Sequence, residues 1–142
     1  NYETSAFAKP GQQCRHNLNY WSFGDYLGIG AGAHSKLSDH AGIRREARPR
    51  HPRDYLADPA TRDWRPVAAA DLPGEFMMNA LRLAAGVPLD LFAERTGLAL
   101  SAIEKSALAA RRDGLLEVAN GCLRPTAQGR RFLNRLIAHF LV

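Results

Sequence analysis

Ser101–Pro125 reads SAIEKSALAARRDGLLEVANGCLRP, and this stretch decides the fold. Its first half places Ile103, Ala107 and Leu108 at a spacing that lays them along one face of a helix. Ser101 and Glu104 form an S-x-x-E capping box at the start of that helix, and Asp113-Gly114 ends it. The second half sets Leu115–Val118 and Cys122–Pro125 on either side of Asn120-Gly121. Asn-Gly between short apolar runs signals a hairpin, because both turn residues must adopt positive φ.

Upstream, Phe76, Ala80, Leu81, Leu83 and Ala84 follow helical spacing from Leu72 until Gly86-Val87-Pro88 breaks it, and Leu89–Glu94 gives a short helix that stops near Gly97. Downstream, Thr126 is the N-cap of a last helix with Phe132, Leu133, Leu136, Ile137 and Phe140 on one face. Three helices, a hairpin and a closing helix predict a winged-helix domain over residues 71–142. Such a domain invites a DNA-binding reading with the third helix in the major groove. Here Lys105, Arg111 and Arg112 stand among Glu104 and Asp113, a weak footprint for phosphate. Nucleic acid is not the expected partner.

Residues 36–70 are polar and interrupted by Pro49, Pro52, Pro59 and Pro66, which predicts an Arg/Pro-rich connector with at most a turn of helix at Arg53–Leu56. Arg44, Arg45, Arg48, Arg50 and Arg53 carry much of the net charge of +5, and such a run reads as a solvated loop. The 142 residues are 46% apolar, enough for a core, and no apolar run is long enough to span a bilayer. Cys14 and Cys122 lack the spacing of a metal site, which points to a reducing, cytoplasmic setting. The opening NYETSAFAKPG shows neither an initiator Met nor a signal pattern, so the chain is expected to be a piece of a longer one.

The site candidate is Cys14–Ser35, CRHNLNYWSFGDYLGIGAGAHS, which gathers His16, His34, Asn17, Tyr20, Trp21 and several glycines. Tyr2–Phe7 before it is a β-prone run, and Asp25–Ile29 within it reads as a short buried strand entering a Gly-rich loop. Gly28–Ala33 satisfies the letters of the dinucleotide fingerprint, but no amphipathic helix follows to receive a pyrophosphate, so that reading is rejected. Bare backbone at Gly28, Gly30 and Gly32 still admits a ligand or a packed neighbour. The aromatic residues read equally well as plain core.

With its flanks, the stretch resembles a known family. Tyr2-Glu3-x-Ser5-x-Phe7-Ala8-Lys9-Pro10-Gly11, Cys14-x-His16-Asn17-x-x-Tyr20-Trp21 and Gly24–Ser35 look like the C-terminal third of the oxygen-independent coproporphyrinogen III oxidase-like radical SAM proteins. The H-N-x-x-Y-W element resembles the HemW branch, regarded as heme chaperones. Leu123-Arg124-Pro125-Thr126-Ala127-Gln128-Gly129 resembles the family's terminal Leu-Arg-x-Thr-x-x-Gly segment.

The resemblance implies an α+β chain in which residues 1–35 close a partial (β/α) barrel, with the earlier strands of that barrel as a missing partner. It implies heme or porphyrin as the bound molecule and a heme-acceptor protein, at the membrane or elsewhere, as the recipient. His16 would be the heme-iron ligand, Asn17 would set its tautomer, Tyr20 and Trp21 would wall the porphyrin, and the Arg cluster would pair with the propionates. Gly28, Gly30, Gly32 and His34 would line a cofactor pocket. A [4Fe–4S] cluster and S-adenosylmethionine belong to the full-length family member, because the cluster's C-x-x-x-C-x-x-C motif is absent here. The alternative the resemblance offers is oxidative decarboxylation of coproporphyrinogen III.

Overall fold

The structure, a computed structural model, describes residues 1–141 and is α+β. In chain order the elements are α1 (Arg15–Trp21), β1 (His34–Asp39), β2 (Gly42–Ala47), α2 (Pro52–Ala57), β3 (Trp64–Pro66), α3 (Leu72–Ala80), β4 (Val87–Pro88), α4 (Leu89–Thr96), α5 (Ser101–Arg112), β5 (Leu116–Ala119), β6 (Cys122–Pro125), α6 (Ala127–Arg131) and α7 (Leu133–Ala138). They form two compact units, one of Asn1–Phe23 with Ala69–Val142, the other of Gly24–Ala68.

In the first unit the hairpin forms where Asn-Gly placed it. Ala119 pairs with Cys122 across a two-residue turn in which Asn120 has φ 52° and Gly121 φ 73°. Val87-Pro88 adds a third strand, giving the order β4-β6-β5. The residue pattern reads only as a helix breaker there, and Pro88 is tolerated because β4 lies at the sheet edge. α4 ends at Gly97 with φ 71°, the left-handed exit that glycine permits.

Three expectations for the helices are corrected. The capping box does not form: Leu100 is the N-cap of α5, Ser101 is already helical, and no side chain caps the end. Backbone carbonyls of Ala99 and Leu100 receive the N–H groups of Ala102 and Ile103 instead, a tight turn that leaves Ser101 nothing to cap. Leu108, expected in the core, is 49% exposed, and the buried face of α5 is Ile103 and Ala110. The closing helix is two helices that meet at Phe132, where φ −117° and ψ 44° leave helical space. An apolar stripe reads the same on both sides of a one-residue break, and Phe132 itself is exposed.

The core is built on an aromatic chain. Phe76 is fully buried, with the Phe23 and Phe92 rings edge-on to it at centroid distances of 5.6 and 5.3 Å. Phe23 is 1% exposed and holds φ 57°, a strained value for a bulky side chain that the burial of its ring offsets. Tyr2–Phe7 is a turn rather than a strand. Tyr2 N–H bonds to the Ala6 carbonyl, and Glu3 makes single bridges to Ala6 and Leu83, too few contacts to extend a ladder.

The second unit replaces the expected connector with an antiparallel sheet in the order β1-β2-β3. His34 to Asp39 pair with Ala47 to Gly42, and Arg44 to Glu46 pair with Pro66 to Trp64. Most of the buried residues of this unit are polar: Ser35, Lys36, Glu46 and Arg48 are buried, as is Ile43. Hydropathy therefore hides these strands. The helical turn expected at Arg53–Leu56 is present as α2, capped by His51 Nδ1, which accepts from Arg53 N–H at 3.2 Å. Asp25–Ile29 is not a buried strand: Tyr26 makes one bridge, to Lys36, while Leu27 and Ile29 are 62% and 88% exposed. Neither run expected as a barrel-end strand thus forms one.

Candidate functional site

Residues 15–21, RHNLNYW, form α1, so the candidate side chains sit on a helix rather than in a loop. Positions four apart share a helix face. Asn17 and Trp21 make one such pair, and His16 and Tyr20 make another. The Asn17 and Trp21 face is fastened: Asn17 Nδ2 donates to Tyr2 Oη at 3.1 Å, and the Arg82 guanidinium lies 4.7 Å from the centre of the Trp21 ring.

His16 is exposed and, among the described residues, its side chain makes no hydrogen bond or ion pair. Tyr20 is half-buried, its ring edge-on to Trp21 at 4.8 Å. Asn17 is thus occupied by Tyr2 and does not set the His16 tautomer. Trp21 is covered by Arg82 and serves as an anchor, which leaves Tyr20 as the aromatic neighbour of His16. Tyr2 and Arg82 carry no local pattern that marks them, because each acts through a partner far away in the chain.

The Gly-rich loop belongs to the second unit and leads into β1, not into a helix, as the rejected fingerprint requires. Its glycines do different work. A Cβ on Gly28 would collide with the His34 carbonyl oxygen, so Gly28 lets the chain pack on itself, and its N–H bonds to Ser35 Oγ at 3.0 Å. Gly30, at φ 104°, faces open space, and Gly32, at φ 71°, has only Arg50 Cα nearby. His34 is exposed at the start of β1 beside a cleft of about 200 Å³ that Arg45, Asp63 and Arg65 also line.

The Arg run is solvated at Arg44, Arg50 and Arg53 but is not one loop. Arg44 and Arg45 are strand residues, and Arg48 is buried with its Nε 3.1 Å from Glu46 Oε1, an ion pair without an aligned hydrogen bond. Arg48 Nη1 donates to the Pro59 and Thr61 carbonyls at 3.0 and 2.9 Å, and Glu46 Oε2 accepts from Ser35 Oγ at 3.0 Å. That guanidinium is buried inside the unit, facing Glu46 and the two carbonyls, and is not presented to a propionate. Nearby, Asp25 is held below the ordinary carboxylate range. Burial pushes its pKa up, but hydrogen bonds from Lys36 Nζ and from the N–H and hydroxyl of Ser38 outweigh burial.

Residues 67–132 match the HemN C-terminal domain family. Over 141 residues the chain is 45% identical to the heme chaperone HemW of Escherichia coli, covering 99% of this chain and 37% of that protein. The chain belongs to the HemN–HemW family. The heme chaperone HemW of Haemophilus influenzae is 44% identical over 142 residues, and that of Bacillus subtilis 34% over 143. The chain spans 37% of the length of the first two of these HemW proteins. The solved structure of the E. coli radical SAM enzyme coproporphyrinogen III oxidase (HemN) superposes with a TM-score of 0.55 at 16% identity, covering 84% of this chain and 29% of that one. That likeness is one of fold.

An iron–sulfur cluster needs several thiolates. This HemN–HemW chain offers Cys14, exposed, and Cys122, half-buried, and among the described residues no group of three or more His, Cys, Asp or Glu is placed to hold a metal ion. Its residues do not fit such a cluster. No helix of the described residues is long and apolar enough to cross a membrane.

Proposed function

We propose that this chain is the C-terminal part of a heme chaperone that holds heme and passes it to an acceptor protein. The chemistry is binding, not turnover. The observation that carries the reading is His16, an accessible imidazole whose side chain has no partner among the described residues, on a helix whose adjacent face is fastened by Asn17 and Trp21. A neutral imidazole of this kind can ligate heme iron without first breaking an internal hydrogen bond. Tyr20, one turn along the same face, supplies an aromatic edge for the porphyrin. His34, exposed beside the open-sided Gly30 and Gly32, is the second candidate ligand.

Residues 71–142 form the winged-helix part of this reading, supported by the succession of α3, α4, α5 and the β5–β6 hairpin. A cytoplasmic location accompanies it.

Hemin titrated into the protein and followed by its Soret band tests the proposal. A saturable band that shifts or weakens in His16→Ala is expected. A band unchanged by His16→Ala but lost in His34→Ala moves the ligand to β1. No saturable binding overturns the heme reading.

A further inference from the structure

A cleft of about 370 Å³ opens in the first unit where three segments meet. Glu3 and Thr4 reach it from the N-terminal turn, Leu81 and Arg82 from the chain after α3, and Arg130 and Arg131 from α6. Its volume falls within the ~300–1,000 Å³ typical of small-molecule sites. Glu3 is 2% exposed; its Oε1 accepts from Ser5 Oγ at 3.0 Å, while its buried Oε2 accepts no hydrogen bond among the described residues. A buried carboxylate oxygen left without a donor costs free energy that a bound donor recovers. The neighbouring guanidiniums do not supply that donor. Arg82 lies over Trp21, and the side chains of the exposed Arg130 and Arg131 make no hydrogen bond or ion pair among the described residues.

Opposite charges that share one cleft without closing on each other define what fits between them. The ligand must offer an N–H donor to Glu3 and an anionic group to Arg130 and Arg131, on a body that tolerates the aliphatic lining of Leu81, Ala84 and Leu133. A nucleotide meets all three demands with its base edge, its phosphates and its ring. Guanidiniums are suited to phosphate because their planar fork donates paired hydrogen bonds to it. Among the bases guanine suits the carboxylate, because its N1–H and exocyclic amino group stand side by side as donors. Adenine sets acceptor nitrogens on either side of its amino group, and these would face the carboxylate's lone pairs.

We propose that this cleft binds a guanine nucleotide, with Glu3 accepting from the base and Arg130 and Arg131 holding the phosphates. The site is separate from His16 and Tyr20, neither of which lines it. The inference does not rest on the heme reading and is measured without heme.

Calorimetric titration of the protein with GTP, ATP and inorganic pyrophosphate in separate arms tests it. GTP is expected to saturate and to bind about tenfold more tightly than ATP or pyrophosphate, since a buried acceptor discriminates against ligands that leave it unpaired. Glu3→Gln keeps the side-chain shape and puts an amide where the carboxylate stood. It should bring GTP down to the affinity of ATP and leave pyrophosphate unchanged. Because a change at a buried position can disturb folding, the double variant R130A/R131A, at exposed positions, supplies a second test. It should weaken GTP and pyrophosphate alike, by about tenfold or more, with the thermal midpoint near its starting value. GTP and pyrophosphate binding equally well overturns the inference and leaves a basic patch that accepts any anion. No saturable GTP binding, or GTP binding that ignores R130A/R131A, overturns it equally.

Discussion

The Arg82 guanidinium lies over the Trp21 indole, 4.7 Å from its ring centre, which joins the turn after α3 to the end of α1. A cation over an indole in a half-buried setting contributes about 1 kcal/mol. Arg82→Ala should therefore lower stability by about that amount, and it should speed hydrogen exchange at the α1 amides more than at those of α5. Arg82→Lys should recover only part of the loss, since an ammonium does not stack as a planar guanidinium does. Equal loss of protection in α1 and α5 would show that the contact does not anchor α1 in particular.

Glu46 is the acid around which the second unit is assembled. Its carboxylate faces Arg48 at 3.1 Å and Arg62 at 3.3 Å and accepts from Ser35. Glu46→Ala strands the buried Arg48 charge, and breaking a buried pair from one side costs about 3–5 kcal/mol. Limited proteolysis should then cut within residues 40–68 while the β5–β6 hairpin stays intact. The joint replacement Glu46→Leu with Arg48→Met should be milder than Glu46→Ala, because no charge is left unpaired.

Asp25 makes the second unit sensitive to acid. Its folded pKa lies below the ordinary value of 3.8, so its hydrogen bonds to Lys36 and Ser38 stabilise the fold fully above that value. The contribution is lost as pH falls below 3.8 and through the depressed folded value. A carboxyl NMR titration should place the Asp25 midpoint below that of an exposed Asp. In Asp25→Asn the second unit should be less stable at neutral pH and should lose less between pH 4 and the acid limit, in roughly the window that linkage assigns to this group.

Gly129 is required where it stands. It follows the Thr126 cap, whose Oγ accepts the Gly129 N–H at 3.0 Å, and a Cβ on it would collide with the Leu115 carbonyl oxygen. Overpacking against backbone has no flexible neighbour to absorb it, so Gly129→Ala should cost about 3 kcal/mol, the upper part of the usual overpacking range. Gln128→Ala beside it should change stability by less than about 0.5 kcal/mol. Denaturant midpoints of the two variants make the comparison, and similar midpoints would mean that α6 shifts freely to admit the methyl group.

What the residues disclosed about the fold follows a physical line. The β5–β6 turn, the Gly97 exit of α4 and the Thr126 cap were legible because each depends on residues within four positions of one another. The β1-β2-β3 sheet was not, because the residues buried in and beside it include Lys36, Glu46 and Arg48, whose burial depends on partners that no hydropathy pattern records. The candidate site divides in the same way. His16, Asn17, Tyr20 and Trp21 stood out by residue type, but only the folded chain shows that Asn17 and Trp21 serve the scaffold, through Tyr2 and Arg82, while the His16 side chain has no partner among the described residues.

The Phe23–Phe76–Phe92 stack has a consequence for how this module can be inherited. Its central ring and one flank are encoded after residue 70, and its other flank is encoded before residue 24. A gene fusion or recombination that transplants only the later segment leaves an aromatic-sized hole beside Phe76 and strips Arg82 of its indole. Successful grafts of this module must carry two separate pieces of coding sequence together.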